Sequence, residues 1–204
     1  MPDEFNQPMW SDDEVETIAW ACVIDKVKPD MVIRIAVATI YGGRIGELCQ
    51  LTSGDIHLDG ENSYIYLKTE KKGMRKKQPI PPSLIPLFRP RIEACSGPSL
   101  HNKLKAIVKR AGVPWPRGSG FHSLRRGVVT VIDPINQSDI AKHKFMGWAV
   151  PRHLGMLDRY RQIPTEVSDR IILQQHPRVK MWERILPFLI DCNPHYRSQI
   201  DILA

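Results

Sequence analysis

Phe121-His122-Ser123-Leu124-Arg125-Arg126 decides the reading of this chain, together with Gly147-Trp148 and Tyr160 further along. In a helix, His-x-x-Arg puts an imidazole and a guanidinium on one face, about one turn apart. A guanidinium fork matches the planar oxygens of a phosphate diester, and a tyrosine held nearby can attack the phosphorus. A lone His-x-x-Arg is common and usually marks a capped helix with a surface arginine, so its weight depends on its surroundings. Upstream, Tyr41-Gly42-Gly43-Arg44-Ile45-Gly46-Glu47-Leu48 supplies a second arginine directly after a glycine pair. Between these stretches Lys68, Lys71, Lys72, Arg75, Lys76 and Lys77 crowd into ten residues.

Outward from these segments the pattern is mostly helical. Ser11 and Glu14 form a capping box, and Val15, Ile18, Ala19, Cys22 and Val23 follow a helical period that Pro29 ends. A second helix runs from Asp30 through Ile33, Val37 and Ile40 to a stop at Gly42-Gly43, and Arg44 to Leu51 opens a new turn or two. From Asp55 to Ile80 the period changes: Ile56 and Leu58 alternate with polar residues, Asp59-Gly60 is a turn, and Tyr64 to Leu67 is rich in strand formers. Glu70 to Met74 reads as a hairpin loop, and Arg75 to Ile80 returns as a short or edge strand because of Pro79, Pro81 and Pro82. Helices follow over Ser99–Arg110, His122–Ile132, Ser138–Met146, Leu154–Gln162, Glu166–Leu173 and Val179–Ile190, with a Pro- and Gly-bearing loop from Val113 to Gly120. The coarse expectation is an α+β fold, mainly α, with helices around one small antiparallel sheet.

The 204 residues suffice for one real hydrophobic core, and a formal charge of +7 favours a polyanionic partner without establishing one. Cys22, Cys49, Cys95 and Cys192 are dispersed, suggesting neither a disulfide framework nor a zinc site, so a reducing compartment is expected. The acidic start is no signal or transit peptide, and no apolar run approaches the roughly twenty residues that span a bilayer. A soluble, cytoplasmic protein is expected, with no membrane contact.

Each candidate has a plain alternative. Arg44 leaves a helix start where backbone N–H groups also face outward, a good place for a phosphate, or it is a surface arginine paired with Glu47. Lys68 ends a strand and can aim its ammonium at a leaving oxygen, or it is an exposed strand-end lysine. Trp148 offers one N–H donor and no acceptor, so it can hold a phosphate oxygen but cannot shuttle protons; otherwise it is a core or interface residue. His143 and His153 lie near it, though neither follows the glycine. Arg159 and Arg161 flank Tyr160 and favour a developing phenolate. Tyr196 is the other downstream tyrosine, while Tyr41, Tyr64 and Tyr66 read as core or strand residues. A basic run such as Lys71 to Lys77 is usually a solvated face.

Taken in order, these boxes resemble the C-terminal catalytic domain of the tyrosine recombinases, the phage integrase family. The resemblance covers roughly Tyr41 to Arg161 and implies a helical domain with a small three-stranded antiparallel sheet. It implies that Arg44 and Arg125 clamp the scissile phosphate, that Glu47 helps hold the site, and that His122 bonds the phosphate and assists proton transfer. Lys68 best resembles the hairpin lysine that protonates the leaving 5′ hydroxyl, with Lys71 and Lys72 competing. Trp148 stands where most members carry histidine, as in Cre-like recombinases, and Tyr160 matches the nucleophile that forms a 3′-phosphotyrosyl link. The spacing from Trp148 to Tyr160 is a little longer than usual in the family.

No cofactor, ATP or metal is required by such chemistry. Lys71, Lys72, Arg75, Lys76 and Lys77 are expected to grip the DNA backbone, and the expected partners are double-stranded DNA and further copies of the chain, as a tetramer on DNA. Residues 1–176 are expected to form the catalytic domain without the family's N-terminal core-binding domain. Residues 177–204 are expected to be a tail whose amphipathic helix docks in cis or in trans. Type IB topoisomerases share similar residues, and a non-catalytic DNA-binding relative is the other alternative.

Overall fold

A computed structural model describes residues 8–68, 75–135, 137–148 and 165–201. The expected hairpin loop with Lys71 and Lys72, and the expected helix with Tyr160, lie outside the described residues, as does His153.

Helix α1 (Asp12–Ile24) begins as the capping box requires: Ser11 Oγ accepts from Glu14 N at 3.2 Å, and Glu14 Oε2 accepts from Ser11 N at 2.8 Å. Helix α2 (Pro29–Ile40) opens on Pro29 itself instead of after it, because the first helical position needs no N–H. Buried from Met31 through Ile40, α2 is apolar on every side and forms the centre of the molecule. Its one internal cation, Arg34, is wholly buried and directs its donors to Asp30 O (2.9 Å), Leu48 O (3.0 Å), Leu51 O (3.5 Å) and Glu93 O. Two of those carbonyls end helix α3 (Ile45–Gln50) or follow it, so Arg34 fixes the helix that carries Glu47.

Three antiparallel strands stand in chain order: β1 (Ile56–His57), β2 (Tyr64–Lys68) and β3 (Arg75–Pro79). The first is shorter than the alternation predicts, since Leu58 is left exposed and Gly60–Asn62 forms a tight helical turn. Leu67 lies opposite Lys76, Ile65 opposite Gln78, and Lys68 opposite Arg75. Directly opposed residues share a sheet face, so buried Ile65 and Leu67 mark the inner face, which also carries Lys76 and Gln78. The outer face carries Tyr64, Tyr66, Lys68 and Lys77.

Helices α4 (Ile85–Phe88), α5 (Gly97–Arg110), α6 (Phe121–Ile132), α7 (Asp139–Phe145), α8 (Thr165–Gln175), α9 (Pro177–Cys192) and α10 (Pro194–Asp201) complete the described chain. Helix α6 packs on α2, α8 packs on α7 and on β3, and α9 packs on α1 and α2. The amphipathic stretch of α9 therefore docks within its own chain. Trp182 is fully buried and donates to Thr39 Oγ1 at 2.9 Å, Arg178 pairs with Asp12 at 2.9 Å, and Asn193 Nδ2 donates to Val27 O at 2.8 Å. Tyr196 is likewise buried, its hydroxyl donated to Leu87 O at 2.7 Å. No described helix is long and apolar enough to cross a membrane, and the cysteines form no disulfide.

Candidate active site

The site is built where two helices end. Gly42, just after α2, and Gly147, just after α7, both adopt φ of +64°, the left-handed conformation in which glycine closes a helix. The carbonyls around these turns are the negative ends of their helices, and cationic side chains converge on them. Arg125, from α6, donates to Gly42 O and, at 2.6 Å, to Met146 O. Arg44 Nη2 reaches Gly147 O at 3.4 Å. Lys76, from the inner face of β3, donates to Tyr41 O at 3.2 Å. Three cations from separate elements are thus drawn to one joint.

Glu47 organises Arg44 from beneath. It is only 3% exposed, and its two oxygens accept from Arg44 Nη1 and Arg44 N, each at 2.8 Å. The expected pair with Glu47 thus exists, and it holds the guanidinium toward the Gly147 turn. The Arg44 N–H itself is occupied by Glu47, at the start of the short helix α3.

Trp148 is 37% exposed, with its ring centre 5.9 Å from the Arg125 guanidinium carbon and His143 against its edge. It is thus a partly exposed indole beside the arginine and not a core residue. His122 lies exposed one turn before Arg125. Partial burial, and then the charges of Arg126, Arg125 and Arg44, hold its imidazole below the usual range, so it is neutral at pH 7 and able to accept a proton. Burial first and Arg44 second bring Arg125 down to about 10, which leaves it cationic at neutral pH.

The hairpin lysines divide by sheet face. Lys68, expected beside the arginines, lies on the outer face and pairs with Asp55 Oδ1 at 2.7 Å. Lys76, expected to grip DNA from outside, turns inward because residues opposite Leu67 must share its face. Lys77 does point outward, where it pairs with Glu166 at 2.6 Å and lies 4.5 Å from the centre of the Tyr64 ring. Arg75 closes the described strand opposite Lys68. Among the described tyrosines, Tyr41 and Tyr196 are buried with their hydroxyls on backbone carbonyls, and Tyr64 and Tyr66 belong to the outer sheet face. Lys71, Lys72 and Tyr160 lie outside the described residues.

Sequence reasoning missed Arg34, Asp169 and the position of Lys76. Asp169, on α8, is wholly buried and accepts from Gln78 Nε2 at 3.2 Å. The signal for Lys76 was present: Lys76, Gln78 and Ile80 alternate, and Ile80 is the apolar member of that set.

No family model matches the chain, and no curated protein matches it by sequence. Solved structures do match in fold. A lambda integrase dimer bound to a COC' core site superposes with a TM-score of 0.58 at 18% identity, over 79% of this chain and 51% of that one. The XerH site-specific recombinase in its pre-cleavage complex with difH substrate gives 0.58 at 16% identity, over 80% and 53%. The catalytic domain of bacteriophage HP1 integrase gives 0.53 at 16% identity, over 93% of this chain and 99% of that one. The chain spans about half the length of the lambda integrase and XerH chains, and nearly the whole of the HP1 domain. In its described residues, this chain is built on the catalytic-domain fold of the tyrosine recombinases.

Proposed function

We propose that this chain is the catalytic domain of a site-specific DNA recombinase or integrase. It cuts and rejoins DNA through a 3′-phosphotyrosyl intermediate. The observation that carries the reading is the convergence of Arg44 and Arg125 on the Gly42–Gly147 joint, with Trp148 over one guanidinium and neutral His122 one turn away. Fixed cationic donors at one point suit the equatorial oxygens of a phosphorane. Neither arginine is free to drift, since each is held by backbone carbonyls or by Glu47.

The step proceeds as follows. The Tyr160 oxygen bonds to phosphorus as the bond from phosphorus to the 5′ oxygen breaks. His122 receives the phenolic proton, and a hairpin lysine supplies one to the departing 5′ oxygen. Lys68, Lys71 and Lys72 are the candidates raised by the family pattern. For Lys68 to act, its 2.7 Å pair with Asp55 must open. A 5′ hydroxyl from a partner strand then reverses the step on a new phosphate. The bond energy stays in the phosphotyrosine, so no nucleotide cofactor enters. Double-stranded DNA is the substrate, and four copies on paired sites would complete exchange, each keeping α9 on its own domain.

The test is a nicked suicide duplex incubated with wild type and with Tyr160→Phe. Wild type should form a covalent adduct whose tryptic peptide carries the nucleotide on Tyr160, and the variant should form none while binding DNA equally well. Adduct formation by Tyr160→Phe refutes the assignment. Equal binding with no adduct from either protein identifies a DNA-binding relative instead.

A further inference from the structure

Behind Arg44 and Arg125 lie two groups of opposite character, the half-buried Lys76 and the fully buried Asp169. The Lys76 arm runs past the Phe145 ring, with Nζ 5.0 Å from its centre, and a Cβ added at Gly147 would lie 3.4 Å from Lys76 Cδ. The lysine therefore sits directly under the turn whose carbonyl Arg44 holds. The charged groups that face it are Arg44 and Glu47 at the start of α3, Arg125 from α6 and Asp169 from α8. Asp169 in turn is faced by Glu166 on its own helix and Lys144 on α7. Asp169 Oδ1 receives no hydrogen bond among the described residues, although the side chain is completely buried. A buried acceptor left open beside a lysine is expensive unless its charge is tuned.

In the anion-free site, a third cation beside two arginines is disfavoured by burial and by like charge. Burial first, and then the charge of Arg125, pull the Lys76 ammonium well below the usual lysine range. Burial pushes the Asp169 carboxyl up, with Lys76 opposing it. One phosphodiester charge seated on Arg44 and Arg125 reverses that balance, because it cancels the repulsion that Lys76 meets.

We propose that Lys76 is the third cation of the phosphate site, and that it takes up one proton from water as a DNA phosphate seats on Arg44 and Arg125. The inference rests on the reading of those arginines as DNA-phosphate ligands. It makes Lys76 a residue of the binding site that faces the chemistry from behind, whereas Lys68 and Lys77 act on the outer face of the sheet. The strand alternation that carries Lys76 inward thus gives DNA affinity a dependence on pH near neutrality.

The whole chain is titrated with a duplex of about twenty base pairs at fixed ionic strength, from about pH 6 to pH 9. Affinity of wild type should fall above neutrality, by up to about tenfold per pH unit within the window between the free and bound pKa of Lys76. Calorimetry near pH 8, in two buffers of different ionisation enthalpy, should show uptake of about one proton. Lys76→Met should bind more weakly near pH 6, show no fall above neutrality and take up no proton. Lys76→Arg, cationic throughout, should bind well with a flat profile and no uptake. Should Lys76→Met fail to fold, Asp169→Asn serves instead: losing that carboxylate lowers the proton affinity of Lys76 and moves the fall to lower pH. An unchanged profile in any of these variants, or no uptake by wild type, overturns the inference while DNA binding itself stands. Absence of DNA binding at every pH overturns both this inference and the function it rests on.

Discussion

Replacing Gly42 by alanine tests how the helix end at the site is made. Gly42 has φ of +64°, and an L-residue in that conformation costs about 1–2 kcal/mol. Against this, alanine restricts the unfolded chain, which returns about 0.4–1 kcal/mol. The backbone alone therefore predicts a net loss of about 1 kcal/mol. The added Cβ would lie 2.8 Å from Met146 Cε and 3.4 Å from Arg125 Cγ. The first contact is with the free end of a thioether, which can swing away at little cost. The second is with the arm that delivers the Arg125 guanidinium, so a shift of a few tenths of an ångström passes into the site. A 1 Å misplacement can cost about a hundredfold in rate, so a shift of this size should lower adduct formation by roughly fivefold to tenfold.

Gly112 is the matched control, because its φ is +71° and no atom of the described residues lies within 4 Å of a Cβ built there. Gly112→Ala should lose the same 1 kcal/mol or so of stability, about 2–4 °C in Tm for a chain of this size, with no loss of adduct formation. The assay pairs urea-denaturation midpoints with the rate of covalent capture on the suicide duplex. If Gly42→Ala is as stable as wild type, the left-handed turn is not there. If both variants lose adduct equally, the contact with Arg125 has no bearing on chemistry.

Burial pushes the Asp55 carboxyl up, but hydrogen bonds from Lys68 and Thr52 outweigh it and hold it below the ordinary carboxylate range. A depressed folded-state pKa gives stability that is present above the unfolded value, near 4, and lost as pH falls through the folded one. Lys68→Met should therefore destabilise most above the ordinary carboxylate range, with the gap to wild type narrowing as pH falls through and below it; a gap that is constant with pH in acid denaturation refutes the pair. A Cβ at Gly127 would lie 2.3 Å from Arg178 Nη2, and Arg178 is 2% exposed and held by Asp12 and Leu124 O. Gly127→Ala should thus cost about 3 kcal/mol or more in denaturant melts, part of it recovered in the Gly127→Ala, Arg178→Met double variant, and a neutral single variant contradicts the packing.

The helices were legible because their signals are local: a capping box at Ser11, an apolar run from Met31 to Ile40, glycines at 42 and 147. The arginine boxes were legible because residue type and order survive without knowledge of distance. What stayed hidden was sidedness. A strand of alternating residues has two faces, and nothing within Arg75–Pro79 alone says which one meets the core. Pairing decides it: Ile65 and Leu67 are buried on β2, so register carries Gln78 and Lys76 inward and leaves Lys68 with Asp55. A one-residue slip of β3 would exchange the faces of Lys76 and Lys77, turning the cation–π partner of Tyr64 inward and Lys76 outward.

Arg34 and Asp169 escaped for a related reason. Charged residues are read from sequence as surface, since burial of either is costly without partners. Arg34 finds its partners in carbonyls of the chain fourteen residues on and beyond, contacts that no local pattern announces. The same argument separates the two classes of basic residue in this protein. Lys77 and Lys68 keep ordinary pairings on the outer face, where salt screens them. Arg125 instead meets carbonyls at two helix ends, where burial keeps its field strong, with Lys76 partly buried beside the same joint and Arg44 reaching it from the rim. Three like charges gathered in one partly dry place are unfavourable for an isolated protein. Their arrangement becomes physically coherent when one anionic ligand completes it, which is what the proposed phosphate site supplies.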